Sequence, residues 1–192
     1  FAYDENNGGA ITSPSPSFNG TYVVASNGRV LLTGLGSRAA VVYLTSPGQG
    51  FLLGSDASVT TGLLEQQTGI TTFSTAAVQG GYTLSTSLPA DTKVPNLLGQ
   101  ITADGAGGVT GIVDEIDPPL SATPEGKANL NQSLIAHINF VGPNGRSTAT
   151  TNSPIGMPAS MVLYLVSPLH FRGISADSNP GNAHPEVFFF DH

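Results

Sequence analysis

The stretch that decides the fold class runs from Thr21 to Thr33 and reads TYVVASNGRVLLT. Two runs rich in β-branched and apolar residues flank Asn27-Gly28, and both of these residues tolerate the positive φ that a two-residue hairpin turn requires. The stretch therefore predicts a β-hairpin, and the same pattern recurs along the chain.

Short apolar runs alternate with turn residues over most of the sequence. Ala39–Thr45 and Met161–Val166 have the character of apolar strands, and Asp104-Gly105 marks another hairpin turn. Between Leu134 and Phe140, apolar and polar residues alternate with the period of two expected of a half-buried strand. Only Ser58–Gln67 could hold a short helix. We therefore predict an all-β protein built of antiparallel sandwich or barrel-like units.

The chain carries little charge for its length. Charged residues make up 10% of its 192 residues, against about 25% in an average globular protein. Such a composition suits secreted proteins and packed assemblies. The net charge is −7 and the six Lys and Arg residues lie far apart, so neither nucleic acid nor an anionic membrane is a predicted partner. Cysteine is absent, which excludes disulfides and thiolate metal sites.

The first residues of the chain carry no recognisable signal-peptide pattern. The chain starts at Phe1 without Met, and no basic and apolar leader follows. Such a start is expected when a signal peptide has been removed or when the chain is a fragment. No apolar run approaches the roughly 20 residues of a membrane-spanning helix, so membrane insertion is not predicted.

Two parts of the chain share a series of short motifs in the same order. We therefore predict an internal repeat in which residues 1–69 form an N-terminal β half-unit and residues 70–192 form a complete β unit. In this interpretation the first half-unit lacks the segment that precedes its counterpart in the complete unit. The matching pairs are Tyr3–Glu5 with Val113–Glu115, Asn27–Arg29 with Asn144–Arg146, Tyr43–Pro47 with Tyr164–Pro168, and Phe51 and Asp56 with Phe171 and Asp177.

The order of these motifs resembles a β-rich repeat domain that occurs in tandem in very large, uncharacterised secreted bacterial proteins. The resemblance covers most of the chain, and the second half-unit departs from it at Val187–His192. It implies an extracellular or cell-surface role, with a self-assembling fibril subunit as one form of it, and it implies no catalytic activity. The residues that carry it are Gly80–Tyr82, Thr102–Gly111, Ser26–Arg29, Tyr43–Pro47 and Gly62–Gln67.

The sequence offers few candidates for catalysis. It contains no G-x-S-x-G nucleophile motif and no H-E-x-x-H zinc motif. Gly34–Ala39 fits a loose dinucleotide fingerprint, but no helix is predicted after it to hold a pyrophosphate, so we interpret it as a turn. His184 and His192 flank the last predicted strand and could meet Asp191 at a metal site; the alternative is that they are exposed loop and terminal histidines. We predict that the chain is not an enzyme and needs no cofactor.

Two acidic clusters and two sequons are the remaining candidate sites. Loops rich in carboxylate oxygens can hold Ca²⁺, although solvated loops whose acidic side chains bond nearby backbone have the same composition. The calcium candidates are Asp4, Glu5, Asp114, Glu115 and Asp117. Asn19 and Asn131 begin N-glycosylation sequons and are possible glycan sites.

The function that the sequence favours is structural. We predict a subunit of an extracellular bacterial fibre or surface assembly, a homopolymer joined by β-strand contacts, because a repeat that begins in its middle leaves strand edges open. The alternative is an adhesin or ligand-binding module of a tandem-repeat surface protein. The predicted contact residues lie in the two terminal strands and are Phe1, Tyr3, Phe188, Phe189 and Phe190.

Overall fold

The chain divides into two compact units, which are described separately. A computed structural model describes residues 4–7, 10–12, 19–34, 40–55, 61–87, 95–116, 126–152, 157–177 and 186–192. One unit comprises residues 1–4 and 13–66, and the other comprises residues 5–12 and 67–192. The predicted sites at Phe1, Tyr3 and Asp117, and the side chain of Glu5, lie outside the described residues.

The described elements are β-strands, apart from one 3-10 turn at Thr75–Ala77. All the strand pairs are antiparallel, which confirms the predicted fold class. The strands are β1 Glu5–Asn7, β2 Ala10–Thr12, β3 Thr21–Val24, β4 Arg29–Thr33, β5 Ala40–Ser46, β6 Gln49–Gly54, β7 Thr61–Glu65, β8 Gln79–Thr86, β9 Asn96–Asp104, β10 Gly108–Ile116, β11 Ala128–Val141, β12 Arg146–Thr151, β13 Ser160–Ser167, β14 His170–Ser175 and β15 Val187–Asp191.

The short helix predicted within Ser58–Gln67 is wrong over its described part. Residues Thr61–Glu65 form β7, which pairs with β6 from Gln49↔Glu65 to Leu53↔Thr61. The ladder to β6 satisfies the backbone groups of this segment, and tertiary pairing of this kind overrides the weak helical preference of a few residues.

The first unit contains a five-stranded sheet in the order β3-β4-β5-β6-β7. Its first hairpin lies where the opening stretch predicts it, but of the two predicted turn residues only Gly28 adopts a positive φ. Gly28 adopts a φ of 79°, its N–H donates to the Ala25 carbonyl at 3.0 Å, and the Asn27 side-chain oxygen accepts from the Arg29 N–H at 3.2 Å. The sequence-local chemistry of Asn-Gly thus specifies this turn.

The second unit contains a closed barrel of eight strands in the order β10-β11-β12-β13-β14-β15-β8-β9. An eight-stranded barrel is just wide enough for side chains to fill its interior. Phe171 and Phe190 stack there with centroids 4.2 Å apart, and the Tyr82 ring meets Phe171 edge-on at 5.1 Å. An apolar void of about 20 Å³ lies beside them, so the barrel is packed and does not enclose a ligand cavity at this point.

The short strands β1 and β2 form a separate two-stranded sheet, which groups with the barrel unit. No helix in the described part of the chain is both long and apolar enough to cross a membrane.

Candidate assembly interface

The two outer edges of the five-stranded sheet distinguish it from the barrel. Barrel strands have neighbours on both sides, whereas no described strand pairs with the outer edge of β3 or of β7. Edge strands present backbone N–H and C=O groups in a row, and this row can template pairing with another strand. The sheet therefore has two sites at which a further strand could add.

One face of this sheet carries large apolar side chains in contact with solvent. Tyr43, Phe51 and Leu63 lie opposite one another on three adjacent strands, and they are 48%, 59% and 55% exposed. The alternation of side chains along each strand places a second exposed set on the same side. We call these six residues the apolar face: Tyr43, Phe51, Leu63, Val23, Leu31 and Leu53.

The opposite face of the sheet is only partly covered. Val30 and Val42, which are paired with each other, are buried. Tyr22, Leu44 and Leu64 lie on the same side and remain exposed. A soluble domain rarely leaves apolar patches of this size on both sides of a sheet, and such patches mark interaction surfaces.

Sequence reasoning did not single out the apolar face. The sequence does contain evidence for it, because Phe51-Leu52-Leu53 and Leu63-Leu64 place apolar residues on both faces of a strand. A strand that is apolar in both phases must be covered on both sides, and the described residues cover these two strands only in part.

The aromatic strand β15 is placed differently from its predicted role. Phe188 and Phe190 are buried inside the barrel, because β15 pairs with β14 on one side and β8 on the other. Their own barrel covers them, so we no longer count these two among contact residues between copies. Phe189 lies on the barrel's outer surface, where the Arg172 guanidinium stands 5.0 Å from its ring centroid.

An ionic cluster ties β14 to β15 on the outer surface of the barrel. The Asp191 carboxylate lies 2.8 Å from His170 Nδ1 and accepts a hydrogen bond of 2.8 Å from the Arg172 guanidinium. Partial burial by itself raises the pKa of Asp191, but the hydrogen bonds and charges of Arg172 and His170 bring this pKa below its usual value.

Of the histidines, His170 meets Asp191, because the pairing of β14 with β15 sets these two residues opposite each other. The His192 ring instead packs edge-on against Tyr82, with centroids 5.6 Å apart. His184, the other predicted neighbour of Asp191, lies outside the described residues.

Three carboxyl groups lie near one another at the Glu186 end of the barrel. Burial, together with the charges of Glu115 and Asp177, raises the pKa of Glu186 to about 7. Asp177 accepts hydrogen bonds from the Ala159 and Ser160 backbone N–H groups at 2.7 and 2.9 Å. Glu115 accepts from the Asn129 amide at 3.0 Å.

The predicted calcium candidates on β10 do not form a cation site. Asp114 is exposed and accepts from the Asn131 N–H at 2.8 Å, whereas its neighbour Glu115 is buried on the opposite side of β10. Consecutive strand residues point to opposite faces, so the predicted Asp114-Glu115 pair cannot share one ion. Within the described residues, no group of three or more His, Cys, Asp or Glu side chains is arranged to hold a metal ion.

The two sequons lie at exposed positions. Asn19 precedes β3, and Asn131 sits on β11 with a positive φ of 54°. The glycine-rich segment at Gly105–Gly108 is a hairpin turn, in which the Asp104 carboxylate accepts from the Ala106 and Gly108 N–H groups at 2.7 and 2.9 Å. Most of Gly34–Ala39 lies outside the described residues.

Comparison of the chain with protein-family models, with curated proteins and with solved structures found no match. The resemblance to a tandem repeat domain of secreted bacterial proteins therefore stays a prediction.

Proposed function

We propose that this protein is a structural subunit of an extracellular bacterial fibre or surface assembly. Copies associate through the five-stranded sheet, by its strand edges and its apolar face. The observation that carries the proposal is that β3 and β7 have no described strand on their outer sides while six large apolar side chains between them are exposed.

The energy available at this surface is sufficient for association. Burying one large apolar side chain contributes about 1.5–3 kcal/mol. The six side chains of the apolar face are about half exposed, so covering them would contribute roughly 5–10 kcal/mol. Association costs roughly 4–15 kcal/mol in lost translational and rotational freedom. The face alone thus reaches the required range, and pairing of strand edges adds to it.

The geometry of the two edges favours extended assemblies. β3 and β7 lie at opposite sides of the sheet, so a copy that pairs at one edge leaves the other edge available. A contact that repeats in this way without closing produces a filament. The low charge of the chain fits such packing, since few charges have to be desolvated.

The test is self-association of the purified chain, measured by sedimentation velocity over a range of concentrations and by negative-stain electron microscopy. We expect filaments or large oligomers. The variant Leu63→Lys places a charge on the apolar face in the edge strand β7, and we expect it to stay folded and to lose association.

The matched control is Leu98→Lys. Leu98 is 63% exposed on β9, which has a neighbour on each side in the barrel, so this substitution adds the same charge away from the sheet. Loss of association in Leu63→Lys alone supports the proposal. A wild-type chain that stays monomeric overturns it and favours the adhesin or ligand-binding alternative.

A further inference from the structure

Strands β4–β7 of the five-stranded sheet and strands β12–β15 of the barrel have the same pairing register. Arg29 lies opposite Tyr43 in the sheet, and Arg146 lies opposite Tyr164 in the barrel. The backbone bond beside each pair also matches, because the Leu44 N–H donates to the Gly28 carbonyl at 3.0 Å and the Leu165 N–H donates to the Gly145 carbonyl at 3.0 Å.

The turns before these pairs match in detail. Gly28 and Gly145 have φ values of 79° and 78°. In each turn the preceding asparagine accepts a hydrogen bond of 3.2 Å from the following arginine N–H, Asn27 from Arg29 and Asn144 from Arg146. Asn-Gly turns are common, so the turns by themselves would not establish a correspondence.

The correspondence continues through the next hairpin. The ladder between β5 and β6 shifts register between Leu44 and Ser46, and the ladder between β13 and β14 shifts between Leu165 and Ser167. In this register Phe51 corresponds to Arg172, since each lies opposite the tyrosine of its pair. The sequence match of Phe51 with Phe171 is therefore displaced by one residue.

The last strands also correspond. The Gln66 N–H donates to the Gly48 carbonyl at 2.7 Å, and the His192 N–H donates to the Leu169 carbonyl at 2.8 Å. Each of these bonds follows a strand, β7 or β15, whose terminal acidic residue pairs with the first residue of the preceding strand. Strands β4–β7 thus match β12–β15 strand by strand, and β3 lies beside β4 as β11 lies beside β12.

In the barrel, the outer sides of β11 and β15 are occupied by the consecutive strands β8, β9 and β10. We infer that the five-stranded sheet is an incomplete barrel, and that its partner is a three-stranded antiparallel segment of the β8–β10 type that is not already part of a closed barrel. This inference goes beyond the proposed function, in which copies of the chain associate, because the donor is a segment additional to those copies.

Exposure of matching residues supports this assignment. Leu44 and Leu64 are 36% and 41% exposed, whereas their barrel counterparts Leu165 and Phe190 are 0% and 3% exposed. In the barrel Phe190 lies opposite Leu84 of β8. Of the residues that would become interior on closure, Leu44 and Leu64 are now uncovered, whereas Val30 and Val42 are already buried.

Strand direction limits the number of strands that can close the sheet. Four antiparallel steps separate β3 from β7, so these edge strands run in the same direction, and an all-antiparallel closure by one inserted segment needs an odd number of strands. Three added strands give eight, the size at which side chains fill a barrel.

The chain's own β8–β10 cannot serve as the donor. These strands already close the barrel that contains β11–β15, so moving them to β3–β7 of another copy would open one barrel for each one closed. Two copies of the chain can cover each other's edges and apolar faces, but closure of the sheet needs an additional segment.

The test is a chain with a second copy of residues 70–116 fused ahead of Phe1. We expect the backbone amides of β3 and β7 of this fusion to become protected in hydrogen exchange. A control fusion carries Val113→Asp in the added copy only, because Val113 is fully buried on the inner side of β10. This control should leave both edges exchanging as fast as in the unfused chain.

A second measurement distinguishes closure from simple covering. Leu44→Ala should cost little stability in the unfused chain and should lower the melting temperature of the fused chain by several degrees, because Leu44 becomes interior only on closure. If both fusions exchange alike at β3 and β7, the inference is wrong. If the unfused chain is monomeric while the edges of the fusion are protected, the proposed self-association fails and the inference stands.

Discussion

At the scale of single residues, the buried carboxyl group of Glu186 has a strongly raised pKa. Its pKa is raised to about 7 by burial and by the charges of Glu115 and Asp177. The folded protein therefore holds a proton that the unfolded chain releases near the ordinary glutamate value. Because the unfolded state binds fewer protons between these two values, the free energy of unfolding falls as pH rises from about 4.5 to about 7.

We expect Glu186→Gln to remove this fall and to stabilise the barrel at neutral pH by on the order of 2 kcal/mol. Urea unfolding at roughly pH 5 and pH 8 measures both the pH dependence and the gain in stability. Asp191→Asn is the control, because the lowered pKa of Asp191 contributes stability that is lost at more acidic pH. A Gln variant with the pH dependence of the wild type would contradict the expectation.

Two turn glycines share a backbone conformation but differ in their surroundings. Gly28 and Gly145 have nearly the same positive φ. A Cβ at Gly28 would lie 3.3 Å from the Leu44 carbonyl oxygen, whereas one at Gly145 would lie 2.8 Å from a Phe73 ring carbon and 2.7 Å from Gln67 Nε2. Alanine is strained at both positions, and at Gly145 it also collides.

We expect Gly28→Ala to cost about 1 kcal/mol and Gly145→Ala to cost clearly more. Calorimetric unfolding of the two variants compares them. Gly62→Ala is the control, because a Cβ there meets no atom closer than 3.9 Å, and it should be close to neutral. An equal loss of stability in Gly28→Ala and Gly145→Ala would contradict this expectation, because it would mean that the Phe73 ring and Gln67 move aside without destabilising the barrel.

At the scale of the element, β15 closes the barrel and separates its aromatic residues between two environments. Phe188 and Phe190 point inward, and Phe189 points outward against Arg172. Removing a buried Phe side chain costs about 3–5 kcal/mol, and a carboxylate in its place adds the cost of an unpaired buried charge.

We therefore expect Phe190→Asp to unfold the barrel and Phe189→Asp to leave it folded with a small loss of stability. Far-ultraviolet circular dichroism and thermal unfolding distinguish the two variants. A folded Phe190→Asp protein would mean that β15 is dispensable for barrel closure, contrary to its ladders with β14 and β8.

At the scale of the whole molecule, the apolar face predicts how association responds to salt. Tyr43, Phe51 and Leu63 carry no charge, so their burial is not screened by ions and is strengthened by sulfate. We expect oligomers to persist in sodium chloride at about 1 M and to increase with ammonium sulfate, as measured by sedimentation velocity. Dissociation in sodium chloride would instead assign the contact to ion pairs.

Local patterns were sufficient to predict the class of fold and several of its turns. Asn27-Gly28 and Asn144-Gly145 specify their own turn conformation, because the glycine takes a positive φ and the asparagine side chain accepts a hydrogen bond from the backbone N–H two residues later. Alternation from Leu134 to Phe140 likewise predicts a half-buried strand, which lies in β11. These features depend on neighbours in sequence, so they can be read before any tertiary contact is known.

Barrel closure and the surroundings of individual side chains depended on contacts between distant parts of the chain. The sequence shows that Phe188, Phe189 and Phe190 must face two sides of a strand, but only the ladder from β15 to β8 decides that two of them point into the core of their own barrel. In the same way, the β14–β15 register brings His170 rather than His192 to Asp191. Strand neighbours are chosen by long-range pairing and packing, which short motifs do not encode.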